Sequence, residues 1–191
     1  MHGTHFFHFL MALILMTCLL TRPVRAAEDT DPTIEDIVIT TSNSDLLLFA
    51  TVKNCFTDTM IEGVRNGIPI TFRFSIVLDK TRKAWFDLSL VEETINHTLR
   101  YDAVKQTYQI DFSERSRSRI TRSEKTAKQL MADLSGLKVI ALNKLEPDAP
   151  YNLQIKATLV ENTLPLGIHY VLPFTSLWNF ETDWRSIEFR Y

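Results

Sequence analysis

A chain of 191 residues, 45% apolar and 23% charged with a formal charge of −2, has the composition of one ordinary globular domain, which excludes a disordered or polytopic protein. Arg22 and Arg25 lie in a leader that holds no acid; without them 19 basic residues face 23 acidic ones, a balance of −4 that excludes any general attraction to nucleic acid. Cys18 lies in the same leader, so Cys55 stands alone in the remainder and an internal disulfide is excluded.

Phe6 to Leu20 is an almost unbroken apolar run that matches the h-region of a secretory signal and is too short to span a bilayer comfortably. Pro23 breaks it, and Val24-Arg25-Ala26 places small or β-branched residues where a signal peptidase reads. Cleavage is expected after Ala26, with a periplasmic or otherwise extracytoplasmic product. His2, His5 and His8 stand where basic residues usually precede such a run, and Arg22 and Arg25 follow it, so an uncleaved N-terminal membrane anchor is the alternative. Leu15-Met16-Thr17 ahead of Cys18 lacks the small residues of a lipobox and argues against a lipoprotein.

Residues 27–33 are acidic, contain Pro32 and read as a flexible tail; residues 34–191 read as a single β-rich domain. Ile34 to Thr41 and Leu46 to Lys53 are apolar and β-branched, and Ser42-Asn43-Ser44-Asp45 supplies a turn between them, which predicts a hairpin. Thr57 is placed to cap a short helix, with Asp58 in its first turn, Phe56 and Ile61 as a hydrophobic staple, and Asn66-Gly67 as its end. Ile68 to Asp79 alternates strictly, with Ile68, Ile70, Phe72, Phe74, Ile76 and Leu78 on one face, as a half-buried strand requires.

Further strands are predicted at Thr94 to Tyr101, Gln106 to Phe112, Leu137 to Leu142, Tyr151 to Glu161 and Arg185 to Tyr191, with a short turn near Asp102-Ala103. A second helix is expected from Ser123, because Ala127, Leu130, Met131 and Leu134 follow helical spacing before Ser135-Gly136. Many short alternating strands must cover their apolar faces against one another. The expected fold is therefore mainly β, an antiparallel β-sandwich, Ig-like or similar, with one or two short amphipathic helices.

Catalytic and metal chemistry find little support. After the leader only His97 and His169 remain, far apart and without the clustered donors a zinc site needs. No Gly-x-Ser-x-Gly or Ser-x-x-Lys occurs, Cys55 has no adjacent basic residue, and Glu92 and Glu93 would point to opposite faces of a strand. With five scattered glycines there is no phosphate loop. The chain reads as a protein that is not an enzyme and takes no cofactor.

Two features remain. Arg115, Arg117, Arg119, Arg122, Lys125 and Lys128 crowd one stretch with only Glu114 and Glu124 against them. If extended, Arg115, Arg117 and Arg119 share a face that could dock an acidic partner or a membrane surface through guanidinium forks; the plainer reading is an edge strand protected by charge. The second is the aromatic segment with Tyr170, Phe174, Trp178 and Trp184, either a platform for a sugar, lipid or peptide or a cover over the open end of the core.

Asn66-Gly67-Ile68-Pro69-Ile70-Thr71-Phe72-Arg73-Phe74, Thr98-Leu99-Arg100-Tyr101-Asp102 with Tyr108, and Leu164-Pro165-Leu166 leading to Thr182-Asp183-Trp184 together resemble the exported bacterial domain-of-unknown-function family 4390. The resemblance spans nearly all of the chain after the leader and brings no active site. Where that family commonly has Ser-Asp-Trp, this chain has Thr182-Asp183-Trp184, and either hydroxyl can serve a turn or cap. The resemblance implies a periplasmic accessory role, since members are often encoded beside a membrane sensor kinase of the nitrogen-regulation type. The expected function is a non-enzymatic binding or interaction module that contacts an envelope protein such as a sensor kinase. The alternative is a carrier of lipid or another small hydrophobe.

Overall fold

Hydrogen-bonding side chains in the turns and alternation in the strands decide where each element begins. The computed structural model describes residues 31–160 and 180–191. The hairpin read from the sequence is formed by β1 (Thr33–Thr41) and β2 (Asp45–Lys53). Ser42 closes it, donating its N–H to the Asp45 carbonyl at 2.8 Å and accepting the Asp45 N–H on its hydroxyl at 2.9 Å. Pairing already begins at Thr33, opposite Lys53, one residue before the expected strand start at Ile34.

Helix α1 (Asp58–Arg65) is capped as expected: the Thr57 hydroxyl accepts from the Met60 N–H at 3.2 Å. Gly67, at φ +89°, turns the chain away just beyond it. The next strand, β3 (Ile70–Lys80), buries Ile70, Phe72, Phe74, Ile76 and Leu78, the predicted face. Ile68 is also buried but precedes the strand.

Strand β4 (Leu88–Asp102) is longer than predicted, extending back from Thr94 to Leu88. Its extra half carries Glu92 and Glu93, which mask the strand in the sequence. They are tolerated because this half pairs with β3 on one side, while β5 (Thr107–Phe112) joins β4 only from His97 to Asp102. The turn between β4 and β5 is made by Asp102, whose carboxylate accepts the N–H groups of Val104 and Lys105, both at 3.0 Å.

A short strand not separately predicted, β6 (Arg119–Thr121), pairs with β5. Helix α2 (Glu124–Ala132) then starts at the predicted cap, where the Ser123 hydroxyl accepts from the Thr126 N–H at 3.2 Å. It ends earlier than expected. Leu134 belongs to β7 (Asp133–Ala141), and Gly136, at φ +69°, sits in that strand where the pairing with β2 shifts between Leu48 and Phe49. The glycine serves a β-bulge rather than a helix cap. A 3₁₀ turn at Leu142–Lys144 leads to β8 (Pro150–Val160), and β9 (Arg185–Arg190) completes the order.

Among the described residues the strands form two antiparallel sheets, β1-β2-β7 and β6-β5-β4-β3-β8-β9. The fold is the expected mainly β, sandwich-like arrangement with two helices. α1 packs on β4, and α2 packs on β2, β4, β5 and β6, so the helices close the space beside the sheets. Leu48, Phe72, Phe74, Leu99, Ile110 and Leu153 meet in one core. Phe72 is the hinge of its aromatic packing, 5.0 Å from the Phe56 ring and 4.7 Å from the Phe180 ring in a T-shaped contact. Burying a side chain of this size contributes about 1.5–3 kcal/mol.

Candidate docking surface

The basic stretch begins where β5 stops. Ser113 donates its N–H to the Asn96 carbonyl at 3.0 Å and accepts the Asn96 N–H on its hydroxyl at 2.9 Å, which binds the chain sideways to β4. The chain turns through residues 113–118, and the Ser118 hydroxyl donates to Asp111 at 2.5 Å where the turn meets β6. The condition for a shared strand face is therefore not met. Arg115 and Arg117 lie in the turn, Arg119 opens β6, and Arg122 lies between β6 and α2. The serines impose this, because their hydroxyls compete for backbone and carboxylate partners that an extended strand would leave to the ladder. All four arginines are exposed, and residues 115–119 line an open depression of about 400 Å³.

Arg115 is held in place. Its guanidinium donates to the Ser135 carbonyl at 3.1 Å, lies 3.3 Å from the Glu114 carboxylate, and sits 4.9 Å from the Phe112 ring centre. Glu114 in turn meets His97 Nε2 at 3.3 Å, and His97 Nδ1 lies 3.0 Å from the Met131 carbonyl. His97 is wholly buried on β4, its ring 4.9 Å from that of Phe74 and 4.7 Å from that of Phe112. Both ring nitrogens face acceptors, so the doubly protonated ring serves both partners while a neutral ring serves one.

Burial alone would raise the Glu114 carboxyl, but the hydrogen bond with His97, its own backbone N–H, and the charges of His97 and Arg115 outweigh that and hold it below the usual carboxylate range. Glu124, the other acid of the stretch, is also engaged. It pairs with Lys128 at 2.9 Å and Arg65 at 2.5 Å and accepts from the Tyr108 hydroxyl at 3.3 Å. The Lys128 hydrogen bond leads in lowering its carboxyl. Glu114 and Glu124 are thus taken up by His97 and Arg115 and by Lys128 and Arg65, and leave the remaining cations of the stretch unpaired among the described residues. Among the described residues, Arg117, Arg119, Arg122 and Lys125 have no carboxylate partner.

Of the four arginines singled out in the sequence, three keep free guanidinium groups on one braced segment and Arg115 braces it. The Glu114–His97 contact escaped sequence reasoning, although one signal was present: His97 occupies an inward position of β4 between Ile95 and Leu99, where a polar ring must find partners.

Tyr170, Phe174, Trp178 and His169 lie outside the described residues. Trp184 leads into β9, is 46% exposed and has Lys156 Nζ 5.7 Å from its ring centre. Phe180 is a core residue. Thr182 is buried, its hydroxyl accepting the Ala157 N–H at 3.0 Å and its own N–H donating to the Ala157 carbonyl at 2.9 Å. An exposed aromatic pair, Trp85 and Phe86, was not singled out in the sequence and lies in the loop between β3 and β4.

Cys55 borders another open depression, of about 480 Å³, with Lys53, Phe56, Lys128 and Asp133. Its thiol is itself buried, lies 3.4 Å from the Val52 carbonyl, and is pushed by burial up to about 12.

Residues 29–188 match the family described as Domain of unknown function (DUF4390). The chain belongs to that family. No curated protein and no solved structure matches it. The DUF4390 match takes in both sheets, both helices and the basic turn, so these are parts of one family domain. Among the described residues of this DUF4390 chain, no three His, Cys, Asp or Glu side chains converge as metal ligands would, and no helix is long and apolar enough to cross a membrane.

Proposed function

We propose that this DUF4390 domain is a non-enzymatic docking module of the cell envelope that binds an acidic face of an envelope protein, such as the extracytoplasmic part of a sensor kinase. One observation carries the reading: Arg117, Arg119, Arg122 and Lys125 lack counterions on a segment anchored to the core through Glu114 and His97. A braced backbone spares the ordering of the turn itself when its guanidinium groups pair with carboxylates, and rim charges of this kind set association rate and register. The apolar run Phe6 to Leu20 supports delivery across the inner membrane, with the leader removed after Ala26 or kept as an anchor. The carrier alternative would place a ligand between the sheets, where Leu48, Phe72, Phe74 and Leu99 already fill the interior, so the packing favours a surface role.

The test is in-cell crosslinking of the full chain, followed by comparison with R117Q/R119Q/R122Q. The reading expects an envelope protein that is captured by the wild type, lost with the triple variant, and recovered when an acidic cluster on the partner and the three arginines are exchanged in sign. Equal capture by wild type and triple variant refutes it. Finding the intact chain dissolved in cytosol refutes the envelope location.

A further inference from the structure

The loop Thr81–Asp87 joins β3 to β4, and its tip carries Trp85 and Phe86, 80% and 96% exposed. Loop tips normally use Gly, Asn, Asp, Pro or Ser, which satisfy turn geometry and stay wetted. Here a Trp and a Phe follow one another, and neither ring belongs to the core. From the outward position, the pair gives no packing to the fold and keeps a large apolar area in water, which is the mark of a surface that is covered in use.

The base of the loop is fixed. Thr81 donates its N–H to the Pro150 carbonyl at 3.0 Å, Lys80 pairs with Glu146, and the Arg82 N–H donates to the Asp87 carboxylate at 3.0 Å. Beyond His97, the β3–β4 hairpin runs past the end of β5, so on that side its tip projects without a neighbouring strand. Arg82 and Lys83 precede the aromatic pair with only Ala84 between, exposed and without a carboxylate partner among the described residues. Of the acids around the loop base, Glu146 is paired with Lys80, Asp148 lies 3.8 Å from Arg190 and Asp87 accepts the Arg82 backbone N–H, while Asp79 has no ion-pair partner among the described residues.

We infer that this loop is a membrane-docking tip, with Trp85 and Phe86 entering the interface of an anionic bilayer while Arg82 and Lys83 pair with its headgroups. A protein hot spot sits at the centre of a broad patch ringed by contacts that exclude water. This pair instead sits at the end of a projecting loop and is bordered by cations. An indole favours the headgroup boundary, where its ring is apolar and its N–H finds an acceptor, and a phenyl ring favours the acyl side. Basic side chains two and three residues before Trp85 match the negative potential of anionic lipid. The inference uses residues separate from the arginine turn, so it stands or falls independently of the docking reading above.

Because the apolar run Phe6 to Leu20 can itself hold the full chain on vesicles, the readout is the depth of Trp85 and not binding. The full chain is mixed with vesicles of phosphatidylcholine and phosphatidylglycerol whose acyl chains are brominated, and Trp85 emission is taken as the difference between wild type and W85F. Quenching of that difference by brominated lipid is expected. F86S should weaken it at least about twofold, and R82Q/K83Q should shift half-maximal quenching to a higher anionic fraction or reduce it to the level seen with phosphatidylcholine alone. Equal Trp85 emission with brominated and unbrominated lipid overturns the inference, as does quenching that neither variant alters. An occupant of the tip that is a protein would give the first of these results.

Discussion

Glu114 Oε1 lies 3.3 Å from His97 Nε2, and this contact fastens the arginine-bearing turn to the middle of the six-stranded sheet. The second oxygen, Glu114 Oε2, is buried without a hydrogen-bond partner, so the carboxylate depends on His97, its own backbone N–H and Arg115 for its compensation. Removing it by E114A leaves His97 Nε2 facing no acceptor and frees the Arg115 guanidinium from one of its restraints. The expected cost is about 2–3 kcal/mol, measured as a lower urea midpoint. Amide exchange over residues 113–118 should rise in the same variant, since the turn loses its tie to the core.

Acid should act on the same contact. The folded carboxyl of Glu114 is held below its ordinary value of 4.5, so its contribution to stability is fully present above that value and is lost as pH falls through the lowered one. Asp111 and Glu124 are lowered too and lose their contributions in the same direction. The difference in unfolding free energy between wild type and E114Q is therefore expected to be fully present above the ordinary value of 4.5 and to shrink as pH falls below about 4. Denaturant unfolding of both proteins across that range checks the sign, and a gap that widens with acid would contradict it.

Thr182 tests whether the segment before β9 is structural. Its hydroxyl satisfies the Ala157 N–H of β8, and Glu181 forms a bridge opposite Thr158. T182V keeps the shape and removes the acceptor, leaving a buried amide unpaired, for an expected loss of about 1–3 kcal/mol. T182S keeps the oxygen and should lose well under half of that. This hydroxyl is the one the sequence assigned to a turn or cap; it serves a strand instead.

Where local chemistry decides conformation, the sequence was readable. β3 was plain because Ile70, Phe72, Phe74, Ile76 and Leu78 alternate without interruption, and both helix starts were plain because Thr57 and Ser123 each supply an acceptor for an orphan N–H. The early half of β4 and the whole of β6 were hidden by Glu92, Glu93 and Arg119, charges that an open edge tolerates but that look like loop. Gly136 was misleading for a related reason, since a positive φ is equally useful at a bulge and at a helix end. For the site, composition located the arginines but could not show that Glu114 and Glu124 were already spent. His97 and Arg65 reach them from other elements, and only the fold brings those together.

Cys55 provides a check on how tightly the edge of the core is closed. Burial is the main cause of its raised value of about 12, with the Asp133 carboxylate adding to it and its own backbone N–H and Lys128 opposing. Near neutral pH the thiolate, which is the reactive form, is then a vanishing fraction of the native population, and the thiol meets the Val52 carbonyl rather than solvent. Alkylation by iodoacetamide, followed at the Cys55 peptide by mass spectrometry so that Cys18 does not interfere, should run at least about a hundredfold slower than for a free thiol. The rate should rise sharply through the urea unfolding transition. Rapid labelling of the native protein would mean that the depression lined by Lys53, Phe56 and Lys128 opens to the core, and it would locate a point of local unfolding between β2 and α2.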